Sequence, residues 1–124
     1  MIDIIVLTLL VYLLHLMLPS LIGVVNGTID TRFLLGSRDD APEGTATMQR
    51  VKRAAANLGE SLPAFLVLAI LSIMNDASNA ELATIWLGLR VAYLLVYAMG
   101  ISTVRTLIWM ASIVCLIMMV LPLI

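Results

Sequence analysis

The sequence predicts an all-α integral membrane protein, a bundle of four transmembrane helices, and three observations lead there. Of its 124 residues, 62% are hydrophobic and 12% charged, whereas a soluble domain is about half apolar and about a quarter charged. Mean hydropathy is +1.10. The apolar residues also fall into four runs, each near the ~20 residues that a hydrocarbon core requires, separated by one long polar stretch and two short turns. This length fits a single domain over residues 1–124. A net charge of −1 without a basic footprint gives no reason to expect a nucleic-acid partner. The lone Cys115 excludes a disulfide framework within the chain, and with a single His no metal-ligand spacing exists.

The first span covers about residues 2–25. It is longer than a signal-peptide core and has Asp3 rather than a basic residue in front, so it reads as a retained helix. Pro19 removes a backbone donor near its end and is expected to kink it. Between Asn26 and Thr47 the chain becomes polar, with Asn26-Gly27, Gly36-Ser37-Arg38-Asp39-Asp40 and Ala41-Pro42-Glu43-Gly44 as loop signals. The second span, about 47–74, begins near Thr45 or Thr47 and is longer than the hydrocarbon core, so Arg50 and Lys52 reach the headgroups. A turn at Asn75–Asn79 leads to the third span, about 81–98. Gly100 marks a second turn before the fourth, about 102–123. Short turns make successive helices antiparallel neighbours.

Arg32, Arg38, Arg50, Lys52 and Arg53 crowd the first loop and its margin, whereas the Asn75–Asn79 turn has no basic residue. Cytoplasmic loops carry the Lys/Arg excess, so the long loop is expected in the cytoplasm and both termini outside. The same topology brings Arg105, at the start of the fourth helix, to the cytoplasmic side. Asn26-Gly27-Thr28 matches a glycosylation sequon but falls on that side as well, and reads as a turn.

Helical spacing of three and four gathers Arg50, Arg53, Asn57, Glu60 and Ala64 into one stripe, and Arg90, Tyr93 and Tyr97 into another. Both are expected to face the bundle interior. Arg90 lies mid-span and requires a partner, for which Glu60, the one carboxylate well inside a span, is the expected choice, with Asn57 and the tyrosine hydroxyls completing the network. Such a network either fixes helix register or forms a pocket for a charged ligand. Four charges and two tyrosines biased to one leaflet favour the pocket. His15 reads as an interhelical hydrogen-bonding residue. Trp86 and Trp109 read as packing or interfacial residues, Met110, Met118 and Met119 as packing, and Cys115 as too deep for a reactive thiolate.

These motifs resemble the MAPEG family, membrane-associated proteins of eicosanoid and glutathione metabolism, in its bacterial branch. The resemblance rests on Arg50-x-x-Arg53-Ala54-x-x-Asn57-x-x-Glu60 followed by Leu62-Pro63-x-Phe65, and on Gly36-Ser37-Arg38-Asp39-Asp40-Ala41-Pro42. It continues through Arg90-x-x-Tyr93-x-x-x-Tyr97-x-x-Gly100-Ile101-x-x-x-Arg105-Thr106-Leu107-x-Trp109. It implies a homotrimer in a bacterial inner membrane, with glutathione as co-substrate bound between subunits near the cytoplasmic face, and no metal. Arg53, Asn57 and Glu60 would hold the glutathione peptide, with Arg90, Tyr93, Tyr97 and Arg38 completing the pocket. Arg105 would be catalytic, favouring the thiolate that attacks a hydrophobic electrophile or reduces a lipid hydroperoxide. Gln49, Lys52 and Ser61 depart from the eukaryotic pattern, and Tyr97 and Arg105 stand eight apart, one more than in the leukotriene-forming members. The other function compatible with these residues is a non-catalytic structural or accessory subunit of a larger membrane complex.

Overall fold

A computed structural model describes residues 1–39, 42 and 44–124. The part of the loop motif at positions 40, 41 and 43 lies outside the described residues. Helix α1 runs Ile2–Val25, α2 Thr31–Leu35, α3 Ala46–Met74, α4 Ala80–Ala98 and α5 Ser102–Val120, with a 3-10 turn at Leu121–Leu123. Among the described residues, four helices (α1, α3, α4 and α5) are long and apolar enough to cross a membrane. This is the all-α, four-span architecture expected from the sequence. Helix α2, a single turn and a half in the polar loop, is not among the expected elements, and its signal is Asp30: the carboxylate accepts from the Phe33 amide at 2.7 Å and caps the helix. Thr45 caps α3 in the same way, its hydroxyl accepting from the Met48 amide at 3.3 Å.

The core is organised around α3, which packs on α1 and α4, while α4 packs closely on α5. Leu58, Leu62, Phe65 and Ala69 of α3 meet Ala83, Trp86 and Leu87 of α4 and Cys115, Leu116 and Met119 of α5. Trp86 stacks flat on Phe65, ring centroids 4.2 Å apart and planes 6° from parallel, so it is a packing residue. At the end carrying the α3–α4 turn, Asn79 Nδ2 donates to Ser72 Oγ and to the Met119 carbonyl, both at 2.8 Å. That side chain ties the turn to the last turn of α5. At the opposite end a smaller cluster of Val51, Ala54, Tyr93 and Leu94 supports the polar residues described below.

The outer faces of α1 and α5 expose Leu10, Leu13, Leu14, Met17, Leu107, Val114 and Ile117, among others. In water such a surface would aggregate, whereas hydrocarbon solvates it. The protein is an integral membrane protein. His15 differs from expectation: its Nδ1 donates to the Val11 carbonyl of its own helix at 2.8 Å, so the bond is intrahelical. An imidazole can satisfy itself on the preceding turn without a partner helix, and His15 does so while buried. Helix α1 remains helical through Pro19.

Candidate functional site

Two tyrosines of α4 carry the site. Tyr93 and Tyr97 lie one turn apart on one face and meet edge to face, centroids 5.5 Å apart and planes at 80°. One guanidinium lies over the Tyr93 ring and two over the Tyr97 ring. Arg90 Cζ is 4.8 Å from the Tyr93 centroid. Arg105 Cζ is 4.6 Å and Arg53 Cζ 5.6 Å from the Tyr97 centroid. Arg53 Nε also donates to the Tyr97 hydroxyl at 2.8 Å. Thus α3, α4 and α5 each contribute to one cluster, with Tyr97 bridging two cations through its ring and its hydroxyl.

Arg90 corrects the expected pairing with Glu60. Its side chain is 1% exposed, and Nη2 donates to Asn57 Oδ1 at 2.7 Å, while Nε and Nη1 have no hydrogen-bond partner among the described residues. Glu60 is exposed. The reason lies in the rotation of α3: Val51, Ala54, Leu58, Leu62 and Phe65 fill the chain's own core, which turns the Arg53–Glu60 stripe outward. Asn57 stands at the margin of the stripe nearest α4 and reaches Arg90, whereas Glu60 stands at the margin nearest α1. The stripe therefore borders the bundle rather than facing its interior, a second correction.

Glu60 instead lines a cavity of about 1070 Å³ between α1, α2 and α3, together with Arg38, Lys52, Tyr12 and Phe33. Arg38 is held at its rim by Nε and Nη2, which donate to the Leu34 carbonyl at 3.3 and 3.2 Å. The structure thus brings Arg53, Asn57, Arg90, Tyr93, Tyr97 and Arg105 together. Arg38 and Glu60 belong to the adjoining cavity.

The electrostatics of the cluster favour an anion. Arg105 sits in the first turn of α5, which has no acidic residue and no side-chain cap. The free amides and positive end of that helix add to the fields of Arg105 and Arg53. Among the described residues no carboxylate pairs with either guanidinium. No group of three metal-ligating side chains occurs among the described residues either. Arg50, which the sequence sends to the headgroups, has a contact that the spacing does not foretell: its guanidinium lies against Gly100, where a Cβ would be 2.8 Å from Nη1 and 2.9 Å from Cζ. The signal was the glycine itself, with a φ of +79°.

A bundle of four long apolar helices, with arginines and tyrosines gathered at one end, defines a class of helical integral membrane protein. The family model described as the MAPEG family matches residues 4–124. The chain belongs to the MAPEG family, a glutathione-associated group of membrane transferases and peroxidases. Comparison with curated proteins and with solved structures gave no match.

Proposed function

We propose that the protein is a glutathione-dependent transferase or peroxidase for hydrophobic electrophiles or lipid hydroperoxides, with Arg105 stabilising the thiolate. The observation that carries this reading is the convergence of Arg53 and Arg105 on Tyr97 without a carboxylate between them among the described residues. Two cations held at fixed places by one aromatic residue are prepared for an anion and pay little reorganisation when it arrives.

In this reading Arg53 takes a glutathione carboxylate and Asn57 a peptide group, while Glu60 receives the amino group. Arg90 holds Asn57 in place, Tyr93 and Tyr97 wall the pocket, and Arg38 closes it from the loop. Arg105 and the α5 N-terminus stabilise negative charge on sulfur, so that the thiol proton leaves to water. In the transferase reaction a carbon–sulfur bond forms as the electrophile's leaving group departs with its electron pair. In the peroxidase reaction two thiols are oxidised to a disulfide while a hydroperoxide is reduced to alcohol and water.

Arg53 and Glu60 are exposed on a membrane-spanning helix. Charged groups in that position require protein or water beside them rather than lipid. A homotrimer supplies that cover, and we place the ligand between its subunits. The basic residues of the first loop orient that loop toward the cytoplasm of a bacterial inner membrane, with both termini outside.

Isothermal titration of the purified protein with glutathione, paired with a thiolate difference absorbance, tests the reading. Binding with a thiolate signal that disappears in Arg105→Ala is the expected result. Absence of binding at millimolar glutathione would sink it, and conjugation of a generic aromatic electrophile would eliminate the purely structural alternative.

A further inference from the structure

We infer that Arg50 is a positioning residue: seated on Gly100 at the end of α4, it fixes the α4–α5 turn and thereby sets Arg105 over Tyr97. The turn is tight. The Met99, Gly100 and Ile101 amides donate back to the Leu95, Tyr97 and Val96 carbonyls at 3.1, 3.0 and 3.2 Å. Gly100 adopts a left-handed φ of +79°, which lets the chain leave one helix and enter the next within three residues.

Helix α4 ends without a basic residue in its last turn. Its carbonyls point toward the turn and carry the negative end of the helix dipole. Arg50, from the first turn and a half of α3, supplies the missing cation from another helix. Its guanidinium rests against the Gly100 backbone, with the Cβ position 2.8 Å from Nη1 and 3.1 Å from Nη2, so a side chain at 100 would have to displace it.

The geometry links this contact to the proposed site. Arg53, one helical turn beyond Arg50, donates to the Tyr97 hydroxyl at 2.8 Å. Arg105, five residues beyond Gly100, lies 4.6 Å from the Tyr97 ring. The start of α3 therefore grips the α4–α5 corner at two points, one touching the proposed ligand site and one behind it. Arg50 acts through the turn and not on the ligand. Its effect on chemistry rests on the glutathione reading, whereas its effect on the turn does not.

The test uses the full-length protein in detergent or lipid nanodiscs, comparing Arg50→Ala and Arg50→Lys with the parent. Hydrogen exchange by mass spectrometry reads the turn, and glutathione titration with thiolate absorbance reads the site. In Arg50→Ala, exchange over residues 98–106 is expected to rise about tenfold, with α1 and the core of α3 unchanged. Glutathione affinity stays within about threefold while the thiolate signal falls, because the ligand contacts remain and Arg105 moves. Arg50→Lys restores part of the protection, since it keeps the charge but not the planar fork.

Unchanged exchange over 98–106, or a rise spread evenly over all helices, would overturn the inference. So would an equal loss of affinity and thiolate signal. If the parent binds no glutathione, the functional reading fails and the exchange result alone decides the turn. Should Arg50→Ala not assemble, Arg50→Gln carries the same comparison.

Discussion

Arg90 donates Nη2 to Asn57 Oδ1 at 2.7 Å and has no hydrogen-bond partner for Nε or Nη1 among the described residues, so a buried cation is held by one neutral amide and the face of Tyr93. That arrangement is sensitive to loss of the amide. Asn57→Leu strands the guanidinium and is expected to cost about 1 to 3 kcal/mol, the price of an unsatisfied buried polar group. The double variant Asn57→Leu with Arg90→Leu removes both partners and should be more stable than Asn57→Leu alone. Unfolding midpoints in detergent decide it, and strictly additive losses would show that the bond contributes nothing.

Tyr97 serves two arginines by two different means, and substitutions separate them. Tyr97→Phe removes the hydroxyl that accepts from Arg53 but keeps the ring beneath Arg105. It is expected to weaken glutathione binding modestly and leave the thiolate signal in place. Tyr97→Leu removes the ring as well and loses a cation–π contact of about 0.5 to 2 kcal/mol. The thiolate signal should then fall. Titration and difference absorbance on the same samples distinguish the two variants, and an equal effect of both would discard the ring's role.

The spans were legible because hydropathy reports the solvent directly, and the polar spacing was legible because helical period fixes which residues share a face. The rotation of α3 was not. Stripe periodicity says that Arg53, Asn57 and Glu60 lie together, but which way they point depends on Val51, Ala54, Leu58 and Phe65 filling the chain's own core. In a membrane an apolar side chain suits both core and lipid, so the sequence pattern carries little contrast between them. The Arg90–Glu60 pairing erred for the same reason: charge complementarity chose the partner, and helix rotation chose Asn57. Sequence alone sends Arg50 to the headgroups, because a contact between a guanidinium and a glycine backbone leaves no pattern except the glycine.

Gly27 and Gly100 provide a paired comparison. Both have left-handed φ, +70° and +79°, so alanine at either is strained by about 1 to 2 kcal/mol. A Cβ at Gly27 meets nothing within 4 Å, whereas one at Gly100 meets the Arg50 guanidinium. Gly100→Ala should therefore destabilise more than Gly27→Ala, and the excess should shrink when Arg50→Ala is present. Thermal unfolding of the four variants measures it. Equal losses in the two backgrounds would place Arg50 away from the turn.

Topology is open to labelling because the chain has one cysteine and it is buried. Ser37→Cys and Ser78→Cys place exposed thiols in the long loop and in the α3–α4 turn, respectively. With the basic loop in the cytoplasm, a membrane-impermeant maleimide applied to intact spheroplasts should label Ser78→Cys and spare Ser37→Cys until the membrane is opened. The parent protein serves as the background control, since Cys115 lies among core residues. The reverse pattern would invert the bundle. Arg53, Tyr97 and Arg105 would then face away from the cytoplasm, and a ligand supplied from the cytoplasm would meet the wrong end of the protein. Because the site and the loop share one end of the helices, this single labelling result fixes the side from which the proposed thiol must arrive.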